Sequence, residues 1–106
     1  MPADDLVQLT REIRQFAEAR DWGKFHTPKN LAMAIAGEAG ELAAEFQWMT
    51  AEESSLASLP EESLEAIKLE IADVQIYLIR LADVLSVDIS KVVRNKIAIN
   101  ETRFPK

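Results

Sequence analysis

The sequence of 106 residues has the length of one domain, and its 12 Lys and Arg against 18 Asp and Glu give a formal charge of −6. That balance argues against nucleic acids and anionic membranes as main partners, since both select for basic surfaces. The absence of Cys excludes disulfide bonds, thiolate zinc sites and a Cys nucleophile. We expect residues 1–106 to form a single domain with its own hydrophobic core. Because the sequence lacks Cys and its N-terminus lacks a signal-peptide pattern, the expected location is the cytoplasm.

Apolar residues recur with the period of an α-helix in four segments, and Gly and Pro are scarce. This pattern predicts helices over about residues 4–21, 28–49, 60–85 and 89–101. Asp4 or Asp5 is expected to cap the first helix, and Thr27 before Pro28 is a favoured start for the second. An aromatic-rich loop joins these two helices. The fold class is therefore predicted to be all-α, with a four-helix bundle-like protomer.

The second predicted helix gathers its acids on one side. Glu38, Glu41 and Glu45 fall within an arc of about 60° when each residue turns the helix by about 100°. Apolar residues border this arc and small residues lie opposite, so the acids are expected to be partly enclosed. Gly37 and Gly40 each cost about 1 kcal/mol in a helix, which close helix packing or access of a bulky ligand would offset.

The third predicted helix repeats this arrangement. Glu70, Asp73, Tyr77 and Arg80 are spaced i, i+3, i+7 and i+10. Apolar residues lie on both flanks of this stripe, which leaves the helix little polar surface. We therefore expect a partner subunit to cover part of this helix.

Two antiparallel helices of this kind place four carboxylates opposite one another, and unpaired carboxylates a few Å apart repel strongly. A divalent cation relieves that repulsion, and hard oxygen ligands favour Mg²⁺, Mn²⁺ or Ca²⁺. A di-iron centre is disfavoured, because the single His of the sequence, His26, lies in the loop. Isolated Glu-x-x-Glu spacings are common on solvated helix faces, so a non-catalytic helical oligomerisation or interaction module stays open as an alternative.

The acidic motifs also resemble the sequence signature of a known protein family. Gly37-Glu38-Ala39-Gly40-Glu41, followed by Glu70-Ile71-Ala72-Asp73, resembles the ExxE…ExxD signature of MazG-like all-α nucleoside triphosphate pyrophosphohydrolases, most closely the dCTP pyrophosphatase branch. The resemblance covers nearly the whole chain, from about Ile13 to Pro105. Other segments that resemble this branch in order and spacing are Arg20-Asp21-Trp22, Phe25-His26, Pro28-Lys29-Asn30-Leu31, Phe46-Gln47-Trp48, Ile76-Tyr77-Leu78 and Lys96 with Asn100.

The resemblance implies Mg²⁺-dependent hydrolysis of a (deoxy)nucleoside triphosphate, with dCTP or a modified cytosine nucleotide preferred, to the monophosphate and pyrophosphate. It implies Glu38, Glu41, Glu70 and Asp73 as metal ligands, with Mn²⁺ able to replace Mg²⁺. Glu38 or Glu41 would also orient or deprotonate the attacking water. The implied assembly is a homotetramer, built as a dimer of dimers with sites at subunit interfaces. The same chemistry on another noncanonical nucleotide is a second enzyme hypothesis, because Ile13 stands where some members of the branch have a His.

Eight residues are candidates for holding the substrate. Those expected to contact the base by stacking or hydrogen bonding are Trp22, Phe25, His26, Trp48 and Tyr77. Each aromatic residue taken singly is more typical of a core. Lys96 and Asn100, four residues apart, are placed to reach phosphate or sugar oxygens, and Asn30 either reads a base edge or bonds backbone near the helix start. Glu45 and Arg80 lie outside the signature, and Glu45 is expected to lie beside the metal ligands.

Overall fold

The computed structural model describes residues 5–106, which fold into helices joined by turns, and no strand occurs within this range. The helices are α1 (Asp5–Ala19), α2 (Pro28–Ala44), α3 (Glu61–Val84) and α4 (Ile89–Arg103), with a short 3₁₀ helix at Gly23–Phe25. The predicted all-α class is confirmed. Asp5 lies in the first turn of α1, whereas the cap predicted at Asp4 lies outside the described residues. Within residues 5–106, every helix is too short or too polar to cross a membrane.

Side chains at the starts of α2 and α4 cap free backbone amides. The Thr27 hydroxyl accepts a hydrogen bond from the Asn30 amide at 3.1 Å, and Pro28 occupies the start of the helix, as the sequence predicts. Asp88 caps α4 in the same way by accepting from the Lys91 amide at 3.1 Å. These caps fix where each helix begins and where the preceding loop joins it.

The second helix is shorter than predicted. α2 ends at Ala44 rather than near residue 49, because the backbone amides of residues 45–47 bond to carbonyls three residues back instead of four. Thr50 and Glu53 then begin a new turn, in which each side chain accepts a hydrogen bond from the other's backbone amide. Trp48, which follows Glu38, Glu41 and Glu45 at helical spacing in the sequence, therefore lies outside the helix, four residues after its end.

α3 is the central helix of the chain. It packs most extensively against α2 and less extensively against α1. The buried apolar residues come from these three helices and are Ala17, Leu31, Ile67 and Ile79. α4 contributes no buried residue. The core within one chain is therefore smaller than chain length alone suggests.

The chain is also more extended than a compact monomer. Its radius of gyration is 16.5 Å, whereas a compact chain of this length has a value of about 13 Å. Its accessible surface is 8223 Å², whereas a folded monomer of this mass exposes about 5,900 Å². Apolar side chains exposed on α3 and α4 include Leu69, Ile76, Val93 and Ile97. The single chain thus leaves much apolar surface unburied.

A charged network ties α1 to the C-terminal half of α3. Arg14 donates two hydrogen bonds to the Asp83 carboxylate, at 2.8 Å and 2.6 Å, and the buried Arg80 donates a third at 3.2 Å. The hydrogen bonding from Arg14 is the main cause that holds the pKa of Asp83 below its ordinary value, and the charges of both arginines act in the same direction. The ionised form of Asp83 therefore stabilises the fold.

We expect Asp83→Asn to lower the free energy of unfolding by about 2 kcal/mol at pH 7, since it removes a bidentate charged pair and leaves Arg80 without its counter-ion. The pKa of Asp83 is lower in the folded protein than in the unfolded chain. Its contribution is therefore complete above the unfolded value of about 3.9 and is lost as the pH falls through the folded value. Urea unfolding of both proteins at one protomer concentration, from neutral to acidic pH, measures this difference.

Glu65→Gln is the matched control on the same helix. Glu65 pairs with Lys68 at 2.8 Å, but both side chains are more than half exposed. Such pairs contribute about 0.5 kcal/mol or less. An equal loss of stability in both variants, or an Asp83→Asn deficit that persists unchanged in acid, would contradict the stabilising role of the Asp83 network.

Candidate active site

Carboxylates from α2 and α3 meet where these two helices pack. One oxygen from each of Glu38, Glu41 and Glu70 lies within 4.8 Å of the others. Glu38 also lies beside Asp73, and Glu70 beside Glu41, so the two helices run antiparallel with their acidic motifs in register. The structure therefore brings together the four acids expected to bind metal, with Asp73 just outside the closest group of three.

The packing raises the pKa of two of these acids. For Glu38 and Glu70 alike, loss of solvent is the main cause, and the negative charges of Glu41 and Asp73 add to it. Glu45 follows the end of α2, and its charge contributes to the shift at Glu70. The expectation that Glu45 lies beside the candidate ligands thus agrees with the structure. The fold concentrates negative charge here at a free-energy cost.

Glu70 indicates that the group suits a cation. Its Oε2 atom is buried and has no hydrogen-bond partner among residues 5–106. A buried acceptor without a partner is costly. None of the ion pairs within residues 5–106 involves Glu38, Glu41 or Glu70. Carboxylate oxygens are the preferred ligands of Mg²⁺, Mn²⁺ and Ca²⁺, so a divalent cation fits the donors that are present.

The loop between α1 and α2 holds two of the predicted substrate-binding residues together. The positive φ of Asp21, 57°, reverses the chain after α1, and the Trp22 amide bonds back to the Ala17 carbonyl at 2.9 Å. Trp22 then contacts Phe16 and His26 edge-on, with ring centres 5.6 Å and 6.1 Å apart. The loop therefore fixes Trp22 and His26 beside each other at the N-terminal end of α2.

Phe25 and Asn30 belong to the same junction. The Phe25 ring is exposed, with the Lys24 ammonium 5.3 Å from its centre. The side-chain amide of Asn30 donates a hydrogen bond to the Phe25 carbonyl at 3.0 Å. Of the two roles expected for Asn30, the bond to nearby backbone is the one this structure contains, and it supports the loop that carries Phe25.

The remaining candidates lie on other elements. Tyr77 is half-buried on α3, one turn beyond Asp73. Trp48 is 89% exposed in the turn after α2. Lys96 and Asn100 lie on α4, and neither side chain makes a hydrogen bond or ion pair within the part of the chain that the structure describes. Trp48, Lys96 and Asn100 therefore make no hydrogen bond or ion pair with the carboxylates within residues 5–106.

Arg80 is the residue of this region to which sequence reasoning gave no role. Its buried side chain donates from Nε to Nδ1 of His26 at 3.1 Å and from Nη1 to Asp83 at 3.2 Å. Two signals in the sequence point to it: it continues the stripe that begins at Glu70, and it lies three residues before an acid. Neither signal identifies an acceptor that lies 54 residues earlier in the chain.

Comparisons with known proteins agree with this geometry. The MazG-like family model matches residues 33–105. The chain is 40% identical to dCTP pyrophosphatase 1 of Homo sapiens and 39% identical to that of Mus musculus, over 104 residues that are 98% of this chain and 61% of each relative. The chain thus spans about three-fifths of the length of these curated relatives.

A solved structure has the same fold. The crystal structure of a pyrophosphatase from Archaeoglobus fulgidus superposes with a TM-score of 0.85 at 39% sequence identity, covering 93% of this chain and 91% of that chain. Sequence and fold are therefore both similar to those of proteins named as pyrophosphatases.

We expect Glu70→Gln to raise the thermal midpoint of the metal-free protein by several degrees at neutral pH, since it removes one of the repelling charges and adds a hydrogen-bond donor at a buried position. Added Mg²⁺ is expected to raise the midpoint of the wild type and to have a smaller effect on the variant. Scanning calorimetry in a chelator and then in Mg²⁺ measures both effects.

Glu65→Gln again serves as the control, because Glu65 is an acid of α3 outside the carboxylate group. Its Mg²⁺ response is expected to equal that of the wild type. A full Mg²⁺ response in Glu70→Gln would remove Glu70 from the ligand set.

Proposed function

Because the chain belongs to the MazG-like family, we propose that it hydrolyses a (deoxy)nucleoside triphosphate to the nucleoside monophosphate and pyrophosphate. The preferred substrate in this proposal is dCTP or a modified cytosine nucleotide, in keeping with the names of the curated relatives. The observation that carries the proposal is the group of Glu38, Glu41 and Glu70, with its buried unpaired oxygen. Such a group attracts the divalent cations that accompany triphosphates.

Glu38, Glu41, Glu70 and Asp73 would hold the cation, which we propose to be Mg²⁺, with Mn²⁺ able to replace it. When bound, the ion supplies charge neutralisation on the triphosphate and lowers the pKa of a coordinated water. All of the donors are carboxylate oxygens, which favours these ions over softer metals.

The acids of the chain position the nucleophile in this proposal. A water oxygen bonds to the α-phosphorus while the bond from that phosphorus to the oxygen bridging the α- and β-phosphates breaks, and pyrophosphate leaves. Glu38 or Glu41 orients this water and accepts its proton. Both lie on the second helix, one turn apart, so either can serve while the other holds the cation.

The aromatic loop would hold the nucleoside. Residues at the N-terminal end of α2 lie about three helical turns from Glu38, a separation of about 16 Å along the helix. Tyr77 on α3 lies between the carboxylates and this loop, since α2 and α3 are antiparallel. Stacking on Trp22, Phe25 and Tyr77 and a hydrogen bond from His26 are the contacts that we propose for the base.

Residues from a second copy would complete the site. Among residues 5–106, the side chains of Trp48, Lys96 and Asn100 make no hydrogen bond or ion pair with the carboxylates, and α4 has no buried residue. We propose that a partner subunit brings Trp48 to the base and brings Lys96 and Asn100 to phosphate or sugar oxygens. Asn30 acts on the same site by supporting the loop through its bond to Phe25.

We infer that the protein is a homo-oligomer, and we propose a tetramer built as a dimer of dimers. The surface of one chain exceeds that of a compact monomer by about 2,300 Å². Burial of that amount on each subunit lies in the range of obligate interfaces, which run from about 2,000 to 5,000 Å² or more in total. The exposed apolar residues of α3 and α4 supply a surface suited to such burial.

We expect Ile97→Glu to shift the assembly toward smaller species, since it places a charge on the exposed apolar side of α4. Sedimentation equilibrium of both proteins measures the mass. Asn95→Glu adds the same charge on another side of the helix and is expected to leave the mass unchanged. A wild type with the mass of one protomer would overturn the proposed assembly.

The activity is tested by incubating the protein and Mg²⁺ with dCTP, a 5-modified dCTP and a panel of common and noncanonical nucleotides, with products identified by ³¹P NMR. We expect monophosphate and pyrophosphate, formed fastest from a cytosine nucleotide.

Glu41→Gln is expected to lower the turnover rate by at least about 100-fold while its circular dichroism spectrum stays helical, because it removes the negative charge of one proposed metal ligand. Glu52→Gln, an exposed acid of the connection after α2, is the control.

Other outcomes decide between the alternatives. Fastest turnover of a different noncanonical nucleotide supports the same chemistry on another substrate. Orthophosphate with a diphosphate, or no turnover of any nucleotide, contradicts the proposal and favours a non-catalytic interaction module. A fully active Glu41→Gln protein removes Glu41 from the catalytic group. We place the proposed reaction in the cytoplasm, where it would remove unwanted nucleotides from the precursor pool.

A further inference from the structure

Arg80 occupies an unusual position for a charged residue. Its side chain is 9% exposed, and its donors are directed to two specific acceptors, Nδ1 of His26 and a carboxylate oxygen of Asp83. Asp83 in turn accepts two hydrogen bonds from Arg14. Asp83 therefore neutralises the buried guanidinium, and the bond to Asp83 fixes the direction in which Nε of Arg80 points.

The bond from Arg80 determines the protonation state of His26. A guanidinium has only donors and does not lose its proton in proteins, so Nδ1 of His26 must be the acceptor. In the neutral ring the hydrogen is then on Nε2. A second proton, on Nδ1, would face the N–H of Arg80. Burial and the charge of Arg80 accordingly lower the pKa of His26.

The other charged groups near His26 do not reverse this effect. On its own loop, Lys24 pairs with Asp21 at 3.1 Å. From α3, Arg80 faces the ring directly, and Asp83 lies behind it. Arg14 of α1 is paired with Asp83 in turn. The neutral ring with its hydrogen on Nε2 is therefore the form that this surrounding favours.

The Nε2 atom of His26 is open. It has no hydrogen-bond partner among residues 5–106, yet it is not among the buried unpaired atoms of that range. The other ring neighbour, Trp22, contacts His26 edge-on. A donor held in a fixed orientation, with no acceptor among the described residues, is available to a ligand.

The Nε2 donor of His26 lies beside α3, the same helix that carries Glu70 and Asp73. Arg80 lies ten residues after Glu70 on the same side of α3, about 15 Å along the helix. Because α2 runs antiparallel to α3, His26 lies at that same end. A nucleotide with its phosphates at Glu38 and Glu70 would extend along this stripe toward His26.

We propose that Arg80 is a positioning residue for the substrate, which holds His26 as the neutral ring with Nε2–H presented as a donor to an acceptor atom of the nucleoside. This inference rests on the proposed nucleotide hydrolysis. Arg80 does not touch the substrate; it acts through His26, and Asp83 with Arg14 keeps Arg80 in place.

Arg80→Met and Arg80→Gln are a matched pair for the test. Both are neutral and both lose the bond to Asp83, but the Gln side-chain nitrogen is as many bonds from the backbone as Nε of Arg and can still donate to His26. Met places a methyl group there. A difference between the two variants therefore reports the donor at this position rather than the lost charge or the lost contact with α1.

The first measurement is ¹⁵N NMR of the imidazole, which is free of overlap because His26 is the single His of the chain. In the wild type we expect unprotonated Nδ1 and protonated Nε2, with titration only below the ordinary pKa of about 6.5. Both variants lose the charge of Arg80, so in both we expect the pKa of His26 to move toward its ordinary value. Arg80→Gln should keep the hydrogen of the neutral ring on Nε2, whereas Arg80→Met should show both tautomers. A wild type with its hydrogen on Nδ1 overturns the proposal.

The second measurement is the kinetics of dCTP hydrolysis. We expect Arg80→Met to raise KM by about 5- to 10-fold, the loss of one oriented hydrogen bond, with a smaller change in kcat and with the pH dependence of KM displaced toward the ordinary pKa of a His side chain. Arg80→Gln should stay close to the wild type. Equal KM values in the wild type and Arg80→Met, with turnover intact, overturn this inference alone, whereas no turnover in the wild type overturns the proposed function as well.

A third measurement covers the case in which Arg80→Met does not fold. Adding dCMP to the labelled wild type should shift the Nε2 resonance more than that of Nδ1, since Nε2–H donates to the nucleoside. No shift of Nε2 at a dCMP concentration that saturates the protein overturns the proposal.

Discussion

The antiparallel contact between α2 and α3 is the interaction on which the other features of the molecule depend. Leu31 of α2 and Ile67 of α3 are both buried, and the register of the two helices sets Glu38 and Glu41 against Glu70. Apolar burial stabilises by about 25 cal/mol per Å² and has no directional preference, whereas the repulsion between these acids depends on their separation. Apolar packing thereby holds charges together that would separate in a flexible chain. A cation that enters this group meets donors already oriented, which is the basis of tight and specific binding.

The helical period was sufficient to predict the helices and the acidic group, because the spacing of side chains on a helix is set by its geometry. It was not sufficient at the end of α2. Phe46 and Met49 continue an apolar spacing there, although the backbone has changed to bonds over three residues. Periodicity also could not reveal the bond from Arg80 to His26, because that pairing depends on how a loop crosses a helix 54 residues later in the chain.

Gly37 and Gly40 leave open space on the helix that carries Glu38 and Glu41. A Cβ built on either residue would meet nothing within 4 Å among residues 5–106. Close packing inside the protomer is therefore not the reason for two residues that each cost about 1 kcal/mol in a helix. The two reasons that the sequence suggests are approach of another helix and access of a ligand, and open space at both positions is compatible with each. The open face of α2 agrees with a site that one protomer does not complete.

The connection between α2 and α3 can change in length without moving the acidic group. Residues 50–60 are mostly exposed and are held by short-range hydrogen bonds such as those between Thr50 and Glu53. The register of the two helices is set by their packing, so it does not depend on the length of the segment that joins them. Extra residues at the tip of this connection would leave the acidic group in place. The tip of this connection is thus a position at which a fluorophore, an affinity tag or a small folded insert can be added without changing how α2 and α3 pack.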